Sequence, residues 1–372
     1  MINAERCAAA ARMSFGSSCR AALAVLALSV MVAAGCALRP PPPAPAGQST
    51  VRDTREMLST LLTLTVVADT EGRGREAVEA GFARIAELDK ELSAYRADSS
   101  LAAVNAGAAR SPVAVPADLY RIMEAGVAWH PKTRGVFDIT VGPLIDLWKT
   151  CGKDGHLPTP EDFARVKPLL GANRIVLDPA ARTVRFPVEG MRVDLGGLGK
   201  GFVADEVVKT LRARGARGAL VSMSGDIYAL GRRADRKPWR IGVQDPRNPR
   251  ASGAYVTVLD LSDRAVSTSG NYERYTEIQG KRYSHIVDPR TGWTADAVAS
   301  VTVIGPDTLT TDILDTSLSV LGVQEGLKVV LGLPGVEAMF VEVDANGEPH
   351  ITRSPGFARY EAVGAPPDGH VK

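Results

Sequence analysis

The chain has 372 residues, of which 45% are hydrophobic and 23% charged, and its net charge is +2. That is enough apolar material for one large or two ordinary soluble domains. The near-neutral balance, with no basic run interleaved with aromatics, excludes nucleic acid as an electrostatic partner.

Arg6, Arg12 and Arg20 precede an apolar run over residues 21–34, which Gly35-Cys36 closes. The run is too short to span a bilayer and has the make-up of a signal-peptide core. Ala33-Ala34-Gly35 before Cys36 resembles a bacterial lipoprotein signal, in which Cys36 is lipidated and becomes the mature N-terminus. Ordinary secretory cleavage is the alternative, because Ala33 stands where a leucine is usual. The expected organisation is a signal over 1–35, a stiff proline-rich tether over 36–50 and one domain over 51–372. Cys7 and Cys19 leave with the signal and Cys36 takes the lipid. Only Cys151 remains, so no intramolecular disulfide is expected and Cys151 reads as structural.

Within the domain, residues 61–67 predict a strand. Ala77, Phe82, Ile85, Leu88 and Leu92 then recur on one helical face. A second helix starts after Pro116 and carries Leu119, Ile122, Met123 and Val127. Residues 134–148 read as a Gly/Pro-punctuated segment and 152–160 as a polar loop. Strands are expected at 175–177, 184–186, 220–223, 239–243, 255–261, 298–304 and 338–343. Two helices, 311–321 and 324–331, interrupt them, and Ala265–Asn271 reads as a small-polar loop. Strands and helices mix without regular alternation, which predicts an α+β fold with a largely antiparallel sheet. No period of roughly 20–50 residues marks a repeat.

The run Val193-Asp-Leu-Gly-Gly-Leu-Gly-Lys-Gly-Phe-Val-Ala-Asp-Glu-Val207 is the most informative stretch. An apolar lead-in from Thr183 reads as strand, four glycines and Lys200 follow, and a helical period begins at Phe202. Such a junction gathers amide N–H groups and the positive helix end, a site for phosphate. Tight strand–helix packing alone would also explain the glycines. Asp194 and Gly201 break the Walker pattern, whereas Gly199, Gly201 and Ala204 fit G-x-G-x-x-A, with Asp226 at the distance of a ribose ligand. An exported NAD(P)-dependent oxidoreductase is therefore one reading.

Asp312 and Thr316 stand at i and i+4 of a helix, an oxygen pair suited to Mg²⁺, although Asp312 could equally cap the helix start. Asp315, three residues after Asp312, reads as solvated or supporting. In Tyr283-Ser-His-Ile-Val-Asp-Pro-Arg-Thr-Gly292, His285 is either a general base or a hydrogen-bonded core histidine. Asp288 is either its orienter or an Asx-turn former.

Taken in order, the run 194–205, Ser224-Gly-Asp-Ile, Ser267-Thr-Ser-Gly, Ser284-His-Ile-Val-Asp-Pro-Arg-Thr-Gly and Thr311-Asp-Ile-Leu-Asp-Thr closely resembles the bacterial FAD:protein FMN transferase (ApbE-like, thiamine-biosynthesis lipoprotein) family. Glu91-Leu-Ser-Ala-Tyr-Arg and Gly135-Val-Phe-Asp-Ile-Thr-Val-Gly-Pro-Leu agree with it. The resemblance runs from about Met57 to about Gly322 and implies transfer of FMN from FAD to a Thr or Ser hydroxyl of a target flavoprotein, with Mg²⁺, releasing AMP. It implies Mg²⁺ on Asp312, Thr316 and the Gly199 carbonyl. It places FAD on Met57, Tyr95, Val136, Phe137, Asp138, Gly196, Lys200, Phe202 and the His285-Ile286-Val287 strand. It makes His285 the base, with Asp288 beside it. The implied partners are FAD, flavoproteins such as subunits of membrane redox complexes, and a bacterial membrane reached from its periplasmic side through the Cys36 lipid. A FAD pyrophosphatase or flavin carrier of the same fold is the alternative. Here Gly199 replaces a common alanine, Ala94 a threonine and Ile139 a proline, and the segment at Met57 is the loosest match.

Overall fold

The computed structural model describes residues 47–248, 253–271, 275–364 and, as backbone, 369–371. The expected signal, Cys36 and almost all of the expected tether lie outside the described residues. β1 (Ser49–Met57) and β2 (Thr60–Ala68) form a hairpin, so the first strand begins just ahead of the expected boundary at 51. Its turn residues Leu58 and Ser59 have φ of 53° and 58°, the twist that a two-residue hairpin needs. There follow α1 (Glu71–Leu92), α2 (Ser100–Gly107), β3 (Val113–Ala114), α3 (Ala117–Lys132), α4 (Gly142–Asp154) and α5 (Pro160–Val166). β4 (Val176–Asp178) and β5 (Thr183–Arg185) precede α6 (Gly199–Ala213). Next come β6 (Gly218–Met223), β7 (Asp226–Gly231), β8 (Trp239–Gln244), β9 (Tyr255–Leu261) and β10 (Arg264–Gly270). β11 (Tyr275–Ile278), β12 (Lys281–Ser284), β13 (Ser300–Gly305), α7 (Thr308–Leu331), β14 (Glu337–Val343), β15 (Pro349–Arg353) and β16 (Gly369–Val371) complete the order.

Eight strands form one sheet in the order β1-β2-β6-β7-β10-β13-β14-β15, every neighbouring pair antiparallel. This is the α+β fold expected. Alternation along the strands sorts the side chains into two layers. Val221, Tyr228, Val301, Val303 and Phe340 join Phe82, Ile85, Val207 and Leu314 of the helices in one core. Leu220, Ile227, Ile304 and Met339 join Trp239 and Ile241 of β8 and Leu259 of β9 in a second core. Each such side chain, removed from water, contributes about 1.5–3 kcal/mol.

Three local expectations change. The small-polar stretch 265–271 is mostly strand β10, held by β7 on one side and β13 on the other. Its hydroxyls are buried on both faces, where Thr268 meets Thr302 at 2.8 Å and Ser267 meets Thr311 at 2.8 Å. Residues 142–154 form α4 despite the nearby Gly and Pro, because Pro143 falls in the first turn, where no amide is lost. The lead-in to the glycine loop stops being strand at Arg185. Val193 is instead clamped by Asn105, whose side chain bonds both its N–H (2.8 Å) and its C=O (2.9 Å). The division between 311–321 and 324–331 is retained as a break inside α7, at Gly322 with φ 70° and ψ −177°.

Candidate active site

Two helices meet at their N-termini. α6 opens on the glycine loop, and the amide of Gly201 donates to Asp312 Oδ2 on α7 at 2.8 Å. In return Asp205 of α6 accepts from the first amides of α7, Thr308 at 2.8 Å and Leu309 at 2.9 Å. Asp307 caps its own helix through Thr310 N at 2.7 Å. Asp312 therefore caps the neighbouring helix and not its own. Gly201 has to be glycine: a Cβ there would lie 2.4 Å from Thr308 O and 2.9 Å from Asp312 Cβ. One turn earlier, a Cβ on Gly197 would lie 3.2 Å from the Phe137 ring and 3.7 Å from Thr316 Oγ1. The loop thus brings Gly199, Lys200, Asp312 and Thr316 together, with Phe137 alongside.

The sheet adds more acid. Asp226 follows the positive-φ turn Ser224-Gly225 and pairs with Met223 on β6 and Ser267 on β10. Its carboxylate and those of Asp312 and Asp315 bring ligand atoms within 4.8 Å of one another, all three buried. Lys200 Nζ bonds Asp226 Oδ2, while Asp226 Oδ1 has no partner. Asp315 accepts from Thr316 Oγ1 at 3.2 Å and from the Ser269 hydroxyl. It is buried within the cluster, which favours the supporting reading of Asp315 over the solvated one. Burial, then the charge of Asp226, pushes the Asp312 carboxyl up to about 7 against the opposing pull of Lys200 and the Gly201 amide. Burial and both neighbouring carboxylates push Asp315 well above the usual range. Burial opposes the Lys200 ammonium, but Asp226 and Asp312 outweigh it and hold the amine protonated. An all-oxygen donor set with an unpartnered buried carboxylate oxygen suits a hard divalent cation such as Mg²⁺.

His285 follows β12 and is exposed, on a segment whose neighbours Ser284, Ile286, Val287 and Asp288 are buried. Ala295 N donates to Ile286 O at 2.9 Å, and Val287 bridges Thr294. Beneath, Trp148 of α4 donates to Gly292 O at 2.8 Å and lies 5.4 Å from the Tyr283 ring and 5.8 Å from Trp293. Asp288 forms the Asx turn, accepting from Arg290 N at 2.9 Å, and the Arg290 guanidinium engages both its oxygens. The turn-forming reading of Asp288 has direct support, and its carboxylate is committed to arginine.

The remaining flavin candidates divide. Val136, Phe137 and Asp138 are buried; Asp138 accepts from Thr140 N at 2.8 Å, with His130 Nδ1 at 3.7 Å. Phe202 is buried with the Arg121 guanidinium 5.2 Å from its ring centre. Gly196 is exposed and its amide bonds Asp194 Oδ1 at 2.7 Å. Met57 pairs with Thr60 at the hairpin end, and nearby Leu62 faces Met223, so Met57 stands at the Asp226 end of the sheet. Tyr95 is 83% exposed beyond the end of α1.

A model of the ApbE family matches residues 58–340, well over half of the sequence. The chain belongs to the ApbE family. It is 35% identical over 286 residues to a FAD:protein FMN transferase of Treponema pallidum, covering 72% of this chain and 77% of that protein. It is 36% identical over 245 residues to the protein of that name in Salmonella typhimurium, covering 64% and 69%. Among solved structures, it is similar to the apo flavinyl transferase ApbE of Pseudomonas stutzeri, with TM-score 0.74, 30% identity and 86% and 98% coverage. An ApbE protein from Thermotoga maritima superposes with TM-score 0.75 at 30% identity, with 84% and 100% coverage.

The dinucleotide reading loses its footing here. A G-x-G-x-x-A turn serves dinucleotides within a parallel βαβ unit. In this ApbE-family chain the strand after α6 pairs antiparallel on both sides, and Asp226 is bound to Lys200. Residues that sequence reasoning undervalued are Asp205, Asp226, Ser269 and Asp315. The Ser224-Gly-Asp turn was visible, but its link to Thr311–Thr316 is a sheet-to-helix contact with no local signal.

Proposed function

We propose that this chain transfers FMN from FAD to a Thr or Ser hydroxyl of a target flavoprotein, with Mg²⁺ bound, and releases AMP. The observation that carries the proposal is the junction of α6 and α7, where glycine-loop amides, Lys200 and the Asp312–Thr316 face meet. In the reaction the acceptor oxygen bonds to the phosphorus of the FMN half. The bond from that phosphorus to the bridging oxygen breaks, and AMP leaves with that oxygen. Mg²⁺, held by Asp312, Thr316 and the Gly199 carbonyl, supplies charge neutralisation for the pyrophosphate when bound. Lys200 and the α6 amides add positive potential beside it. His285, exposed on an anchored segment, takes the hydroxyl proton. Phe137 and the buried segment around Asp138 form one wall for the flavin nucleotide.

Incubation with FAD and Mg²⁺, with and without an acceptor flavoprotein, tests this reading. AMP formation that depends on the acceptor supports transfer. AMP and free FMN appearing equally fast without it would make the chain a FAD pyrophosphatase, water replacing the hydroxyl.

The address belongs to the same proposal: export, lipidation at Cys36 and residence on the periplasmic side of a membrane. The basic and apolar composition of 1–35 supports it. No helix among the described residues is long and apolar enough to cross a membrane. Cys36→Ser should move the protein from the detergent fraction to the soluble extracytoplasmic fraction; a wild-type protein soluble without detergent would contradict anchoring.

A further inference from the structure

Asp226 has a place in the cluster that its neighbours on α7 do not explain. Its side chain is 1% exposed and Oδ1 has no hydrogen-bond partner, a costly state for a carboxylate oxygen at that depth. The group is also the rigid member of its ion pair. It sits one residue past the two positive-φ positions of the β6–β7 turn, with Met223 and Ser267 paired on either side. Lys200, by contrast, is a long flexible side chain, 33% exposed, at the open start of α6. Three carboxylates would be balanced by one ammonium together with one divalent cation, whereas the ammonium alone leaves them short. Their ligand oxygens already lie within 4.8 Å of one another, so side-chain rotation can bring them onto one hard cation of the kind that takes oxygen ligands.

We propose that Asp226 is a further carboxylate arm of the divalent-cation site, and that Lys200 occupies this arm until the cation arrives. Cation binding then frees the Lys200 ammonium to turn from the sheet toward the phosphates bound at the glycine loop. The inference rests on the reading of Asp312 as a cation ligand, and it gives Asp226 and Lys200 an exchange role beyond that reading. It couples cation loading to phosphate recognition: the lysine becomes available only where the metal is in place.

The test uses Mn²⁺ as the probe on the full chain without FAD, read by the loss of the free-ion paramagnetic resonance signal. Asp226→Asn should weaken Mn²⁺ binding at least tenfold, and Lys200→Met, which removes the competing cation, should tighten it. Anomalous scattering from wild-type crystals soaked in Mn²⁺ should place the ion in bonding contact with Asp226, with Lys200 turned away; this arm needs no variant to fold. Mn²⁺ held by Asp312 with Lys200 still on Asp226, or an Asp226→Asn affinity within twofold of wild type, would overturn the exchange while leaving the Asp312 site intact. No Mn²⁺ binding by the wild-type chain would overturn the site itself, and the exchange with it.

Discussion

Asp205 and Asp312 cap each other's helices. Asp312 on α7 takes the Gly201 amide of α6, and Asp205 on α6 takes the first two amides of α7. The crossed bonds fix the two N-termini in register and set Lys200 beside Asp312. Burial pushes the Asp205 carboxyl up to about 6 even though both amides stabilise its charge. Satisfying helix ends this way is worth about 0.5–2 kcal/mol per cap.

Gly201→Ala tests that register. The added methyl meets the Thr308 carbonyl at 2.4 Å, so the helices must separate. A loss of about 1–3 kcal/mol is expected, together with weaker Mg²⁺ binding. Chemical denaturation and metal titration on the same preparation measure both. A variant unchanged in both would show that the close approach is unimportant.

Asp312→Asn separates stability from function. The amide oxygen can keep the Gly201 bond while removing a charge whose burial, and then the neighbouring Asp226, already push the Asp312 carboxyl up to about 7. The metal-free protein should therefore melt no lower than wild type, yet lose Mg²⁺ binding and FMN transfer. Thr316→Val, which loses only a hydroxyl, should show a smaller loss of the same kind. Near-normal transfer by Asp312→Asn would remove it from the metal site.

His285→Ala should slow transfer by about 10²–10⁴-fold, the usual size of a general-base effect. Flavin and Mg²⁺ binding should stay close to wild type, because Trp148, Tyr283 and the buried Val287 hold the segment from beneath. Thermal melting, flavin titration and single-turnover rates distinguish this from a packing role, in which stability and affinity would fall together.

Away from the site, Glu206 joins α6 to α1 and α3. Burial raises its carboxyl, but hydrogen bonds from Arg121, Lys209 and Arg84 outweigh it and hold it at about 2, below the ordinary 4.5. A carboxyl depressed on folding contributes stability that is full above about pH 4.5 and fades as pH falls toward 2. Glu206→Gln should therefore destabilise the protein at pH 7 and much less near pH 2–3. Denaturation midpoints at the two pH values decide it; an equal loss at both would mean that the ion pairs add nothing.

The sequence made local features legible and long-range ones obscure. The loop at 196–201 and the split of α7 at Gly322 could be read because glycine spacing and apolar period are local signals. β10 could not, since Ser267, Thr268 and Ser269 look like turn residues until β7 and β13 pair with the strand and Thr311 of α7 and Thr302 of β13 meet its hydroxyls on opposite faces. The helix alone leaves Asp315 either solvated or supporting, because what buries it is the sheet, which brings Asp226 and Ser269 against it. Asp226 itself is placed by a hairpin turn against residues about 90 positions further along the chain, a contact that no periodicity announces.

The most direct measurement is the intact mass of an acceptor flavoprotein after incubation with this chain, FAD and Mg²⁺. The account predicts a gain of one FMN less one water, localised to a single Thr or Ser, and its absence when Asp312→Asn replaces the wild-type chain. An acceptor of unchanged mass, with FAD intact or with FMN and AMP free in solution, would contradict it.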